Sequence, residues 1–408
     1  MKEWKTYTLE EICTGKGTYG IGASAVAYDS NKYTYLRITD INDDGTLNKG
    51  ELKSVDDEEA YKYILQKNDI VFARTGNSTG RSYFYDGTDG ELVYAGFLIK
   101  FSLDPSKVNP RIMKYYTHSQ DYYDWVKSFD TGGTRGNINA KTYGLMPITL
   151  PPREVQDKIV EVLKSIDEKI DLNKRINDNL EQQAQALYKS WFVDFEPFED
   201  GEFVESEMGE IPVGWTVVKF SDLTEIPKKT INPQKFPETI FKHYSLPACD
   251  NGLIPEDQTG KDIMSNKIIL QNNTTLFSKL NPRIKRIWFT CEVQPNSICS
   301  TEFIPYRATN ENESGYIFSI INSEAFYASV MGCVNGATGS HQRFHAEDTD
   351  DFLCAYNKEA VNEFSQHIDA ILKQMHDLRQ ENVKLASMRD TLLPKLMSGE
   401  VKINEIDC

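Results

Sequence analysis

Long apolar runs are missing from this sequence. No uncharged stretch approaches the ~18–20 residues that a membrane helix requires, so no membrane span is expected. The opening Met1-Lys2-Glu3-Trp4-Lys5 carries acid and has no apolar segment behind it, which argues against a signal or transit peptide and makes the cytoplasm the default location. Paired cysteines are missing too. The seven cysteines (13, 249, 291, 299, 333, 354 and 408) are odd in number, scattered and never spaced Cys-x-x-Cys, which excludes a disulfide framework and a zinc knuckle and leaves reduced thiols. Catalytic signatures are equally scarce: there is no Gly-x-Gly-x-x-Gly, no Gly-x-x-x-x-Gly-Lys-Ser/Thr and no His-Glu-x-x-His. The Asn-Pro pairs at 109, 232 and 281 are followed by Arg or Gln, not by the Pro-aromatic pair typical of an adenine methyltransferase. His341 and His345 have helical metal-ligand spacing but sit in a Gly/Ser-rich stretch with no third ligand, so no metal site is expected. A non-catalytic chain is the reading that remains.

Basic charge is also in deficit. The 45 Lys and Arg against 61 Asp and Glu give −16, which disfavours loose adhesion to phosphate. The excess is unevenly placed: residues 1–152 carry −2, 153–206 carry −7, 207–357 carry −5 and 358–408 carry −2. A nucleic-acid face on such a body has to be a local basic patch helped by specific contacts or partner subunits. With 408 residues, 39% hydrophobic and 26% charged, the chain is long enough for two or more globular units.

An internal repeat organises those units. Trp4-Lys5-Thr6-Tyr7-Thr8-Leu9-Glu10-Glu11-Ile12 is echoed by Trp215-Thr216-Val217-Val218-Lys219-Phe220-Ser221-Asp222-Leu223 at an offset of 211. Leu65 through Arg74 matches Leu270 through Lys279 at 205, and Gly132-Gly133-Thr134 through Asn137 matches Gly336-Ala337-Thr338 through His341 at 204. Order and spacing together identify a duplication. Its strongest part is helical. Ile159, Leu163, Ile166, Ile170, Asn173, Asn177, Leu180, Ala184, Leu187 and Trp191 follow a 4,3,4,3 spacing, and adding 205 gives Phe364, Ile368, Ile371, Met375, Leu378, Asn382, Leu385, Arg389, Leu392 and Leu396. Each stripe spans ~48 Å at ~1.5 Å per residue, and an unpartnered seam of that length is unfavourable in water, so the two are expected to pair as an antiparallel coiled coil. Asn177 and Asn382 fit register setting at a cost in stability.

Breakers set the boundaries. Pro147, Pro151 and Pro152 close the first globular unit, Pro197, Gly201, Gly209, Pro212 and Gly214 mark an acidic linker, and Pro394 is expected to kink or end the second helix. The expected order is a globular domain at 1–152, a helix at 153–195, a linker at 196–214, a globular domain at 215–357, a helix at 358–397 and a tail at 398–408. Short β-rich runs, Asp69–Ala73 and Leu92–Ile99 among them, are separated by turn signals such as Asp44-Gly45 and Asp86-Gly87, which makes the globular parts α+β. Antiparallel pairing of the helices would hold the two domains apart as a molecular ruler.

The helical segments carry a resemblance. Leu150-Pro151-Pro152-Arg153-Glu154-Val155-Gln156-Asp157-Lys158-Ile159-Val160, then Ile166–Ile170 and Ala186-Leu187-Tyr188-Lys189-Ser190-Trp191-Phe192-Val193-Asp194-Phe195, closely resemble the central conserved region of specificity subunits of type I restriction-modification systems. Met388 through Glu400 resembles that family's C-terminal conserved region, and the likeness extends over the whole chain. One departure is that Ala355-Tyr356-Asn357-Lys358 stands where the first helix has Leu150-Pro151-Pro152.

The resemblance implies two tandem target recognition domains, each reading half of a split site on double-stranded DNA. The chain would then bind no cofactor itself. It would direct two modification (methyltransferase) subunits and the restriction (translocase/endonuclease) subunits, on which S-adenosylmethionine and ATP are expected, and no membrane is involved. Two alternatives stay open: the specificity subunit of a type II system that cuts on both sides of its site, and a coiled-coil adaptor that binds only protein.

Candidate DNA contacts lie in polar loops with Arg and Gly, because base edges and phosphates need donors at close approach. Thr134, Arg135 and Asn137 pair with Ser340, His341 and Arg343 in equivalent loops. Arg74 and Arg81 pair with Lys279, Arg283, Lys285 and Arg286 after the matched strands, the second run holding four basic groups in eight residues. Surface turns and a solvated basic face are the competing readings, and Arg74 and Lys279 are also candidates for structural ion pairs. Tyr115, Tyr116, Tyr122, Tyr123 and Trp125 have stacking chemistry at a spacing more usual in a helix core.

Overall fold

The computed structural model describes residues 4–129, 136–334 and 342–401. The chain forms two compact units, one built from two separated segments, residues 1–169 with 385–408, and one continuous, residues 170–384. Each long helix therefore contributes to both.

In the first unit, Lys5–Thr8 pairs antiparallel with Pro147–Leu150, tying the start of the domain to the strand that leads into the first long helix. Two four-stranded sheets follow. One has the order Thr18–Tyr19, Leu98–Ser102, Asp69–Ala73, Ser82–Tyr85, and the other Ala25–Val26, Lys53–Val55, Tyr33–Leu36, Leu92–Tyr94. Asp69–Ala73 is buried at every position, as a central strand must be. The polar end of that strand is satisfied: the Asp69 carboxylate accepts from the Gln66 amide at 2.8 Å and from Ser102 Oγ at 2.6 Å, and Lys100 lies at 3.3 Å.

The second unit repeats this plan. Thr216–Lys219 pairs with Leu353–Tyr356. One sheet runs Thr224–Glu225, Phe303–Ala308, Thr274–Ser278, Ile287–Thr290, and a five-stranded sheet holds Thr230–Ile231, Lys267–Ile269, Ser297–Cys299, Ile240–Tyr244 and Glu256–Thr259. The repeat holds at single-residue resolution. Phe72 faces Ile99 across the sheet as Phe277 faces Ile304, and the positive-φ residues Asn68 and Asn273 open the two central strands, all at an offset of 205. The expected strand over Leu92–Ile99 divides into Leu92–Tyr94 and Leu98–Ser102, which lie in different sheets.

The long helices are Arg153–Phe192 and Lys358–Ser398. The first starts on Pro152, whose carbonyl accepts from the Val155 and Gln156 amides. The second, which lacks the prolines, starts instead on an Asn cap, with the Asn357 side chain accepting from the Ala360 amide at 3.0 Å. In the first unit Ile159 and Leu163, early in the first helix, share a core with Leu393 and Leu396, late in the second. In the second unit Leu180, Ala184 and Phe192 share a core with Phe364, Ile368, Leu372 and Met375. Early residues meet late ones in both, so the pairing is antiparallel.

Of the expected seam, Ile159, Leu163, Ile166, Ile170, Asn177, Leu180, Phe364, Ile368 and Met375 are buried, and Leu187, Ile371, Leu378, Asn382, Leu385 and Leu392 are half-buried. The apolar face of the second helix is wider than a seam because it also meets its own globular body. Leu372 and Ser365 are buried there, and the Tyr316 amide donates to Ser365 Oγ at 3.2 Å. A Cβ on Gly315 would lie 2.9 Å from Ile368 Cβ and from the Ser365 carbonyl, so glycine is required at this crossing. Asn173 donates to Asn382 at 2.9 Å and to Glu381 at 2.8 Å, while Asn177 Oδ1 is buried without a partner. The polar crossing thus uses Asn173 rather than Asn177.

Two expectations need correction. Pro394 does not end the second helix, which continues to Ser398 because Leu393 and Leu396 on either side are held in the first unit's core. Residues 196–214 are ordered: Phe203–Ser206 and Gly209–Pro212 form a hairpin, and Phe195, Phe198 and Trp215 cluster edge-to-face at 5.0–5.4 Å. Aromatic packing overrides the Gly and Pro signals there.

Candidate nucleic-acid interface

In the first unit the central strand Asp69–Ala73 runs straight into Arg74. Its backbone is fixed on both sides, the amide donating to the Phe97 carbonyl at 3.1 Å and the carbonyl accepting from Ile138 at 3.0 Å, and Thr75 bridges Asn137. The Arg74 guanidinium lies 5.0 Å over the Tyr19 ring, with Nε buried and unpartnered. Tyr19 is in turn anchored by its hydroxyl, which accepts from the Ala140 amide at 3.1 Å. Asn137 is exposed. Arg81 is differently placed, bound to Asp43 at 2.6 Å and to the Ile41 carbonyl at 3.3 Å.

The second unit builds the same junction. Lys279 takes the place of Arg74, its amide donating to the Glu302 carbonyl at 2.9 Å, and Leu280 bridges Arg343 as Thr75 bridges Asn137. These bridges equate Asn137 with Arg343, two positions beyond the His341 of the sequence comparison. Arg343 is held by both oxygens of Glu302 at 3.1 and 3.2 Å. Arg286 forms a two-point pair with Asp250 at 2.6 and 2.8 Å, which stabilises its charged form, and so parallels the Arg81–Asp43 pair, the arginines lying 205 and the aspartates 207 residues apart. Lys285 donates to the Asn322 carbonyl at 2.6 Å, and burial of its ammonium pulls its pKa below the usual lysine value despite nearby Glu181 and Glu324. Arg283 is exposed. The structural ion pairs therefore fall on Arg81, Arg286 and Arg343. Arg74, Lys279 and Arg283 have no carboxylate partner among the described residues.

Thr134, Arg135, Ser340 and His341 lie outside the described residues. Tyr115, Tyr116 and Tyr122 are core residues, whereas Tyr123 is exposed. Tyr19 and Phe97 escaped the sequence reading. The signal that would have found Tyr19 is its place on an edge strand, where its ring is 42% exposed. No three metal-binding side chains converge among the described residues. What the first junction offers is a set of donors, guanidinium, amide and hydroxyl, at the end of a rigid strand, and the second offers the Lys279 ammonium at the equivalent place. That is recognition chemistry.

Residues 1–182 match the family described as the type I restriction modification DNA specificity domain. Over those residues the chain is similar to that family. Among curated relatives of this chain is the Methanocaldococcus jannaschii type I restriction enzyme MjaIX specificity subunit, 24% identical over 72% of this chain and 69% of that protein. The Haemophilus influenzae type I restriction enzyme HindI specificity subunit is 30% identical over 48% of this chain and 42% of that protein. The fold is that of the type I restriction-modification S subunit from M. genitalium, with a TM-score of 0.54 and 14% identity over 97% of this chain and 96% of the other.

Proposed function

We propose that this chain is the non-catalytic DNA-recognition (specificity) subunit of a restriction-modification complex, each unit reading one half of a gapped double-stranded site. The observation that carries this reading is the duplicated junction: a central strand ending in Arg74 or Lys279, bridged to Asn137 or Arg343. A single such junction has the make-up of an ordinary strand end. Two in the same register, each on its own unit, match a split site.

On this reading two methyltransferase subunits and the translocase/endonuclease subunits are partners, and S-adenosylmethionine and ATP are held by those chains. The acidic stretch 153–206 favours docking to basic partner surfaces. Long-read methylation mapping of DNA from cells expressing the chain with and without its modification subunit tests the proposal. A two-part adenine motif that appears only with both chains is the expected result. Absence of any motif, with a competent and co-assembled methyltransferase, would favour a coiled-coil adaptor that binds only protein.

A further inference from the structure

Carboxylates account for nearly every described arginine of the globular parts. In the first unit Arg37 is held by Asp40, Arg81 by Asp43 and Arg111 by Asp86, each at 2.6 Å, which leaves Arg74. In the second, Arg286 is held by Asp250, Arg307 by Glu225 and Glu311, and Arg343 by Glu302, which leaves Arg283. The two remaining arginines are built differently. Arg283 is exposed in a turn, while Arg74 is fixed by a backbone bonded on both sides and a ring 5.0 Å from its guanidinium.

The Tyr19 ring beside the Arg74 guanidinium restricts its movement, and the buried Nε removes one edge from use. The terminal nitrogens are left as a fork. A fork of fixed orientation has less entropy to lose on binding than a mobile side chain, and it matches two adjacent acceptors better than a point charge. In the major groove the base edge with two adjacent acceptors is guanine, through O6 and N7. A phosphate needs only positive charge and tolerates a mobile side chain such as Arg283.

We propose that Arg74, held by Tyr19, reads one guanine of the half-site bound by the first unit. The inference rests on the DNA-recognition reading above. Lys279, at the equivalent place, has no fork, and the edge strand Thr224–Glu225 carries no aromatic residue, so the second unit reads its half-site by other contacts.

The test uses the assembled complex and duplexes carrying each base pair in turn at every position of the mapped motif. A wild-type motif with no G·C pair in either half overturns the proposal, whereas absence of any two-part motif overturns the recognition reading itself. With Arg74→Lys, which keeps the charge but loses the fork, the preference for guanine at one position should fall by roughly tenfold or more, with the other half-site and the gap unchanged. Tyr19→Leu, which frees the guanidinium, should relax the same position. Weakening by an equal factor on all duplexes would mean a phosphate contact and sink the idea, as would guanine preference retained in Arg74→Lys. Co-elution of each variant with the modification subunit controls for folding.

Discussion

Asp167 is a carboxylate taken out of water on the first long helix. It accepts from Lys114 at 2.7 Å, from the Tyr115 hydroxyl at 3.1 Å and from Arg389 of the second helix at 3.2 Å. Burial alone would raise its pKa, but Lys114 and then Arg389 outweigh that and hold it below the usual value. A depressed carboxyl stabilises above its unfolded pKa of ~3.9, and the contribution is lost as pH falls through the folded value, so this triad fails only in acid. Asp167→Asn removes the charge that faces two half-buried cations, of which Arg389 keeps Asp390, and should cost roughly 1–3 kcal/mol at pH 7, read from urea unfolding.

Asp369 has the opposite sign. Burial raises its pKa to about 6, the neighbouring Gly315 amide lowers it only in part, and Oδ1 completes no hydrogen bond. Its contribution is present below the unfolded pKa and disappears as pH rises through about 6. Asp369→Asn should therefore raise the melting temperature at pH 7.5 more than at pH 5, and an equal shift at both would contradict the assignment.

At the scale of elements, the second long helix is pinned at two points with distinct costs. Gly315→Ala forces a methyl group within 3 Å of Ile368 and Ser365 and should destabilise by about 1–3 kcal/mol in denaturant unfolding. Asn357→Ala removes the cap that replaces the missing prolines and should cost about 1 kcal/mol in the same assay. These two positions also show what sequence reading reaches. The helices, their pairing and the duplication were legible because apolar spacing and a 205-residue repeat are properties of the sequence alone. The hairpin in 203–212 and the continuation past Pro394 were not, because packing there overrides local breakers, and the cap at Asn357, though only three residues from its Ala360 partner, is a weaker signal than the missing prolines. At the candidate interface, composition located the basic runs but did not separate Arg74 from Arg81. That distinction rests on Asp43 and Tyr19, 38 and 55 residues upstream of their respective arginines.

For the whole molecule, the proposed function makes helix length a determinant of the gap between half-sites. Seven residues inserted in each long helix, after Lys169 and after Lys384, add ~10 Å and should widen the mapped gap by about three base pairs with both half-sequences intact. A motif of unchanged gap would contradict that role. The split construction of the first unit has a separate consequence for synthesis. Its core includes Leu393 and Leu396, more than 190 residues after Phe195 and the end of the first helix region. The ribosome releases the amino-terminal domain early, yet that domain has to wait, with Ile159 and Leu163 short of their partners, until Leu393 and Leu396 have been made. Its core closes about 200 residues later than its own synthesis, and a nonsense codon between Phe195 and Leu393 would deprive the domain encoded first of part of that core.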